Sequence, residues 1–291
     1  MNLFAVVLNW NGGDDTLAAL ASLEGIPTIC VDNGSTDGSD GLVEERFPNV
    51  ELIRTGANLG FAGGNNIGIQ RAQGRGADWV LLLNNDAVAE PGLASALDRA
   101  ARARPDAGLL ACKVLSEDGD TVQYAGAGFN KWFGYSGRVR TDGPDELRDV
   151  ARADGAAMAV SWAAIEQAGL LDLELFAYVE DVEWSLRIRR AGFGVVFVPE
   201  ARARHKGSAA TGGRTSTANL YYDTRNTIVV SERHAPLPRG LRALRRGVVV
   251  GAHLAQSLSH PSRLAAARAV LAGWRDARAG RLGQRSTPNP P

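Results

Sequence analysis

Four short apolar runs in the first third of the chain, three of them followed directly by asparagine or aspartate, constrain the fold most. They are residues 3–8 (LFAVVL), 27–31 (PTICV), 50–53 (VELI) and 79–83 (WVLLL). Runs of this length, rich in branched and aromatic side chains, suit strands covered on both faces. Between them, residues 14–24 place Leu17, Leu20 and Leu23 on one helical face, with Asp14 or Asp15 as a cap. Residues 39–47 and 64–73 have the pattern of two more short helices. Such alternation predicts a parallel, doubly wound sheet with right-handed crossovers. Ligands of such sheets sit beyond the carboxyl ends of the strands. Those ends carry Asn9, Asp32, Asn58 and Asn84–Asp86.

Further along, Pro91 opens a helix, residues 107–115 read as a strand, and residues 119–150 read as loops and strands that build the other half of a cleft. Helices are expected at about 161–168 and 180–191, and a strand at 193–198. After Pro199 the helices become rich in arginine, and the last dozen residues lack a packing pattern. The formal net charge of zero hides this change. Residues 1–200 hold 16 basic and 29 acidic side chains, a net −13, and residues 201–291 hold 16 and 3, a net +13. Cys30 and Cys112 lie in apolar runs and read as buried free thiols of a reducing compartment. With no basic leader and no run of about 20 apolar residues, a cytoplasmic protein is expected.

Three clusters could carry chemistry. In VDNGSTDGSD (31–40), Asp32 ends a strand, and Gly34, Ser35 and Asp37 turn the chain into a helix. A carboxylate there can accept from a base N–H or ribose hydroxyls, although the same residues satisfy plain turn chemistry. In LLLNNDA (81–87), an apolar strand runs directly into Asn84, Asn85 and Asp86. Oxygen donors at a sheet edge suit Mg²⁺ or Mn²⁺, bound through one or two carboxylates plus substrate phosphates. One carboxylate needs a second protein ligand, and His205 follows a later strand that can return to the cleft. In FAYVEDVEWSLRIRRAGF (176–193), Glu180, Asp181 and Glu183 crowd the first turn of a helix. Crowding raises at least one pKa, as a general base requires. Trp184 and Ile188 share a face, as do Arg187 and Arg190, for packing and solvation. The first strand leads into NWNGGDD rather than G-x-G-x-x-G, and no G-x-x-x-x-G-K-S/T occurs, which argues against dinucleotide oxidoreductases and P-loop enzymes.

Taken in order, VVLNWNG, VDNGSTDGS, NLGFAGGNNIG, LLLNNDA, LFAYVEDVEWSLRIRRAGF and VPEARARHKGS resemble the motifs of the inverting glycosyltransferases of family 2. They cover roughly residues 1–210, and NLGFAGGNN is similar to the rhamnosyltransferase-like branch, which includes galactofuranosyl transferases. The resemblance implies an α/β chain with a GT-A type doubly wound, mostly parallel sheet and a C-terminal helical extension. It implies a nucleotide-sugar-binding half (1–105), an acceptor and catalytic half of the same domain (106–212), a basic helical region (213–280) and a disordered tail (281–291). By the same resemblance Asp32 meets the nucleoside, and Asn58 and Asn65 lie near the donor diphosphate or sugar. Asn9, Asn84 and Asn85 join them as donor-binding candidates at the strand ends. Asp86 matches the last aspartate of the D-x-D metal motif, His205 joins it on Mn²⁺ or Mg²⁺, and Asp181 matches the general base. Asn84 replaces the first aspartate of D-x-D, leaving the metal site one charge poorer. Ser161–Trp162 and Leu171–Asp172–Leu173 also depart from the family, on the expected acceptor side.

The implied activity is metal-assisted transfer from a dTDP-rhamnose-like or UDP-sugar donor to a hydroxyl of a glycan, lipid-linked or small-molecule acceptor of the cell envelope. Two rivals are a sugar-nucleotide pyrophosphorylase, whose Gly-rich opening with Arg and Lys is absent, and a nucleotide-sugar-binding protein that has lost catalysis, which Asn84 would suit. Nucleic-acid binding is set aside, because the basic segment has few aromatics (Tyr221, Tyr222, Trp274) and no recognised module. In that segment Leu241, Leu244 and Val248 line one helix side, while Arg239, Arg242, Arg245 and Arg246 fall mainly elsewhere. Such a helix either packs its leucines on the core with solvated arginines or docks peripherally on anionic lipid at the inner face of the membrane.

Overall fold

The apolar runs form strands because their branched side chains fill both faces of one sheet. A computed structural model describes residues 1–130, 132–133, 135–138, 145–207 and 216–285. The first half alternates as expected: β1 (Leu3–Asn9), α1 (Gly13–Ala21), β2 (Thr28–Asp32), α2 (Ser39–Arg46), β3 (Glu51–Arg54), α3 (Gly60–Gly74) and β4 (Trp79–Asn84). Next come β5 (Ala87–Ala89), α4 (Leu93–Ala103), β6 (Ala107–Ser116), β7 (Val122–Tyr124), β8 (Ala127–Asn130), β9 (Tyr135–Arg138) and β10 (Arg148–Asp149). The second half closes with β11 (Ala157–Ser161), α5 (Trp162–Ala168), α6 (Glu180–Arg190) and β12 (Gly194–His205). The C-terminal helices are α7 (Thr217–His234), α8 (Arg239–Ser257) and α9 (Arg263–Ala279).

The main sheet has the order β10-β12-β6-β11-β4-β1-β2-β3, with β5 on β12, β7 on β6, and β8–β9 forming a separate ribbon. It is mostly parallel, but β11 runs antiparallel to both β4 and β6. Because β11 opposes both neighbours, β6 and its parallel partner β12 point the same way as β1–β4. The carboxyl ends of β1, β2, β4 and β12 therefore share one edge with the amino end of β11.

Glycines set the approach of α3 to this sheet. A Cβ on Gly64 would lie 2.2 Å from a Leu8 methyl, and one on Gly68 would lie 2.4 Å from a Val6 methyl. Any side chain at either position would push the helix off β1, at a typical cost of about 1–3 kcal/mol for overpacking. NLGFAGGNNIG is thus a packing motif as much as a binding one.

Several sequence expectations change. Gly12, not Asp14 or Asp15, is the N-cap of α1, and the Gly13 N–H of its first turn donates to Asp37 Oδ2 at 3.2 Å. The strand expected at 193–198 continues to His205, with a register shift after Val198. Arg187 is not a solvating side chain: it pairs with Glu183 at 2.8 Å and donates to the carbonyls of Ala168 and Leu170. The expected boundary at 212–213 and residues 286–291 of the expected tail lie outside the described residues. Residues 281–285 of that tail are held to the body, with the Gly283 N–H on the Glu174 carbonyl and the Arg285 N–H on the Tyr222 hydroxyl (3.0 Å). Both cysteines are buried free thiols, and desolvation pushes each up to about 12.

Candidate active site

The strand ends gather the expected donor residues around a buried hub. Asn9 is paired in register with Asp32 across β1 and β2. Its amide nitrogen donates to Asp32 Oδ1 (2.9 Å) and Ser39 Oγ (2.8 Å), and its oxygen accepts from Gly12 N–H and Thr16 Oγ1. With 0% exposure and both amide atoms engaged, Asn9 orients Asp32 and the first loop. Asp32 Oδ2 accepts from the Ser35 N–H. Asn85 donates to Thr16 Oγ1 (3.3 Å), and Asn84 is tied by its N–H to the Ala156 carbonyl. Asn58 accepts from Asn33 and from the Gly60 N–H, opening α3, while Asn65 donates back to the Phe61 carbonyl within it.

The expected metal pair meets at the same edge. Asp86 precedes β5, whose Ala87 is in register with His205 at the end of β12. Asp86 Oδ1 lies 3.1 Å from His205 Nε2, both side chains nearly buried. Yet among the described residues His205 Nε2 makes no hydrogen bond, so the two atoms converge without the alignment of a donor and acceptor. Gln123 of β7, absent from the sequence candidates, explains the imidazole's orientation. Its amide N–H₂ donates to the His205 carbonyl (2.8 Å), which leaves its Oε1 against Nδ1 at 3.3 Å. An Nδ1–H on Gln123 puts the unprotonated nitrogen at Nε2, facing Asp86. This donor set fits a divalent cation with two protein ligands. Among the described residues no cluster of three or more His, Cys, Asp or Glu could hold a metal, so substrate oxygens and water would complete the shell.

The expected base reaches this edge through β11. Asp181 Oδ2 accepts from the Gly155 N–H (3.1 Å) and from Arg152 Nη1 (3.3 Å). Gly155 adjoins Ala156, whose carbonyl holds the Asn84 N–H at 3.0 Å. Two hydrogen bonds thus connect Asp181 with the Asn84–Asp86 turn. The loop before α6 is strained: Phe176, Tyr178 and Val179 have φ of 63°, 66° and 70°. Left-handed backbone at non-glycine residues costs about 1–3 kcal/mol each, and α7 supplies the restraint. Asn226 donates to the carbonyls of Leu175, Ala177 and Tyr178 at 2.7–2.9 Å. Arg225, 1% exposed, donates to the Leu175 carbonyl (2.9 Å) and spans to Gly283. Asn66 of α3 clamps Leu171 through both backbone groups. Asn66, Arg152, Arg225 and Asn226 are long-range partners that local motifs do not announce.

Of the three crowded carboxylates, Glu180 has the raised pKa. Burial, and secondarily the charge of Asp181, push it up to about 8, and its Oε2 has no hydrogen-bond partner among the described residues. Burial also raises Glu183, but hydrogen bonds from His234 and Arg187 outweigh it and leave its pKa lowered. Between pH 4.5 and about 8 the native state keeps a proton on Glu180 that the unfolded chain has lost. Stability therefore falls as pH rises through that window. Glu180→Gln should flatten this fall, melting close to wild type near pH 4.5 and several degrees higher above pH 8. Thermal melts from pH 4.5 to 9 test it, and parallel curves for both proteins would refute the assignment.

The glycosyl transferase family 2 model matches residues 14–157. The chain is 32% identical over 284 residues to N-acetylglucosaminyl-diphospho-decaprenol L-rhamnosyltransferase of Mycobacterium tuberculosis, covering 86% of this chain and 92% of that protein. The crystal structure of GalNAc-T7 with UDP, GalNAc and Mn²⁺ aligns with a TM-score of 0.57 at 16% identity, over 70% of this chain and 42% of that one. Mannosyltransferase PcManGT from Pyrobaculum calidifontis, in complex with GDP-Man and Mn²⁺, aligns with a TM-score of 0.55 at 16% identity, over 99% of this chain and 77% of that one. At such identity the structural likenesses speak for the fold, which is that of the GT-A glycosyltransferases. Within that class, the chain belongs to glycosyltransferase family 2.

Proposed function

We propose that this enzyme transfers a deoxyhexose such as rhamnose from a nucleoside diphosphate donor, with inversion, to a hydroxyl of a polyprenyl-linked saccharide. The observation that carries the reading is the tie of Asp181, through Gly155 and Ala156, to the turn bearing Asp86. The name of the mycobacterial relative supports the sugar and the lipid-linked acceptor. A lipid-linked acceptor suits a cytoplasmic protein that associates peripherally with the membrane.

Each residue takes the part that its family motif implies. Asp32 receives the nucleoside. Asp86 and His205 would hold Mn²⁺ or Mg²⁺, which when bound would neutralise charge on the donor diphosphate. Asp181 takes the proton of the acceptor hydroxyl as that oxygen attacks the anomeric carbon from the face opposite the diphosphate, and one base suffices for inversion. Gly155 N–H and Arg152 hold the carboxylate in the geometry that task requires. The retained Asp181 and its restraints favour catalysis over the binding-only reading that Asn84 suits.

Calorimetry with dTDP-rhamnose and UDP-sugars, with and without Mn²⁺, tests the reading. Binding should be metal-dependent and strongest for one donor, with slow donor hydrolysis on incubation. No binding of any nucleotide sugar would overturn it.

A further inference from the structure

α8 turns outward the face that its sequence pattern would pack. Leu241, Leu244 and Val248 are 45%, 66% and 43% exposed, and their stripe continues through exposed Gly251 and Ala255 without a charge. Two of the four arginines, Arg245 and Arg246, work inward instead. Arg245, 3% exposed, donates to the Ala235 carbonyl at 2.7 Å, and Arg246 is forked onto Glu232. The reading in which the leucines meet the core and the arginines meet water is therefore reversed. Beyond the turn, Leu258 is 60% exposed. On α9 the spacing of Leu264, Arg268, Leu271 and Arg275 puts all four on one exposed stripe. Arg263 and Arg268 have no acidic partner among the described residues. Residues 236–285 contain ten arginines and one acid, Asp276, which is already bonded to Tyr221 and Arg281.

We infer that the outer face of the α8–α9 hairpin docks in the plane of an anionic lipid surface, its leucines at headgroup depth and its arginines on lipid phosphates. Among the described residues no helix is long and apolar enough to cross a membrane, so attachment is by the face and not by a span. A second copy of the chain would cover the leucines equally, but it would also bring two arginine-rich surfaces together. Charge complementarity therefore selects lipid. The inference goes beyond the acceptor assignment, though a lipid-linked acceptor would make such docking useful.

Flotation of the full chain with vesicles tests it, using phosphatidylcholine alone and phosphatidylcholine mixed equally with phosphatidylglycerol. Recovery should be about tenfold higher on the anionic vesicles, for arginines near a charged surface, and should fall as salt rises. Leu244→Glu combined with Val248→Glu should reduce that recovery about tenfold, leaving the melting temperature and donor binding unchanged, because both positions are exposed. Arg268→Glu with Arg275→Glu should remove the preference for anionic lipid. The inference is overturned if the wild type floats with neither vesicle or if the Leu244/Val248 variant floats equally well. It is also overturned by a dimer in light scattering that this variant dissociates, with no vesicle binding. Vesicle binding without transfer to a polyprenyl-linked acceptor supports the surface and rejects the acceptor; transfer without vesicle binding does the reverse.

Discussion

Asp181→Asn should lower sugar transfer about 10³-fold while donor affinity stays near wild type. The side chain keeps its volume at the start of α6, but an amide cannot take the acceptor's proton. Its surroundings make the loss specific. Asp181 Oδ2 faces two donors, Gly155 N–H and Arg152, and Oδ1 accepts from the Val182 N–H at 2.7 Å. An amide there must turn its N–H₂ toward one of these donors, so local fit suffers too, and a melting curve should accompany the kinetics. In the proposed mechanism donor binding uses the strand ends and not this carboxyl. Single-turnover transfer, measured beside calorimetric donor affinity, separates the two effects. Transfer at the wild-type rate would remove Asp181 from the mechanism.

Loss of Asp86 should have the next largest effect. Asp86→Ala removes one of the two protein ligands proposed above, and Asn84 supplies no neighbouring charge to compensate. Mn²⁺ affinity in the presence of nucleoside diphosphate should fall by more than the tenfold to hundredfold that outer-shell changes cause. Gln123→Leu should cause a loss within that outer-shell range, because the imidazole remains while the hydrogen bond that selects its tautomer is gone. Paramagnetic resonance of free Mn²⁺ reads both variants without reference to turnover. Equal affinity in wild type and Asp86→Ala would dissolve the proposed pair.

The sequence was most legible where physics is local. β1, β2, β4 and the helices between them follow from branched apolar runs, and the polar residues closing those runs share one edge because parallel strands must end together. What stayed hidden depends on distant partners. No local pattern reports that β11 runs antiparallel between β4 and β6, yet this reversal brings Gly155 to the edge where Asp181 needs a donor. Gln123 reads as one polar residue in a short strand, and only the fold of β12 brings His205 against it. Glu180, Asp181 and Glu183 looked alike as a cluster. Burial raises the pKa of the first, and a histidine and an arginine from other turns lower that of the third. On α8 periodicity located the apolar stripe correctly but could not say which side faced the protein.

The clasp of α7 on the loop before α6 limits how this chain can be recombined with its relatives. Asn226 and Arg225 hold the carbonyls around three left-handed residues next to Asp181. The transferase half therefore has no clean seam at the end of β12. A chimera that exchanges C-terminal regions between relatives to alter acceptor choice or membrane address should keep α7 with its native partner and join beyond His234. A junction ahead of Thr217 would import a helix evolved to clasp another loop, and the graft would change the catalytic end when only the address was meant to change.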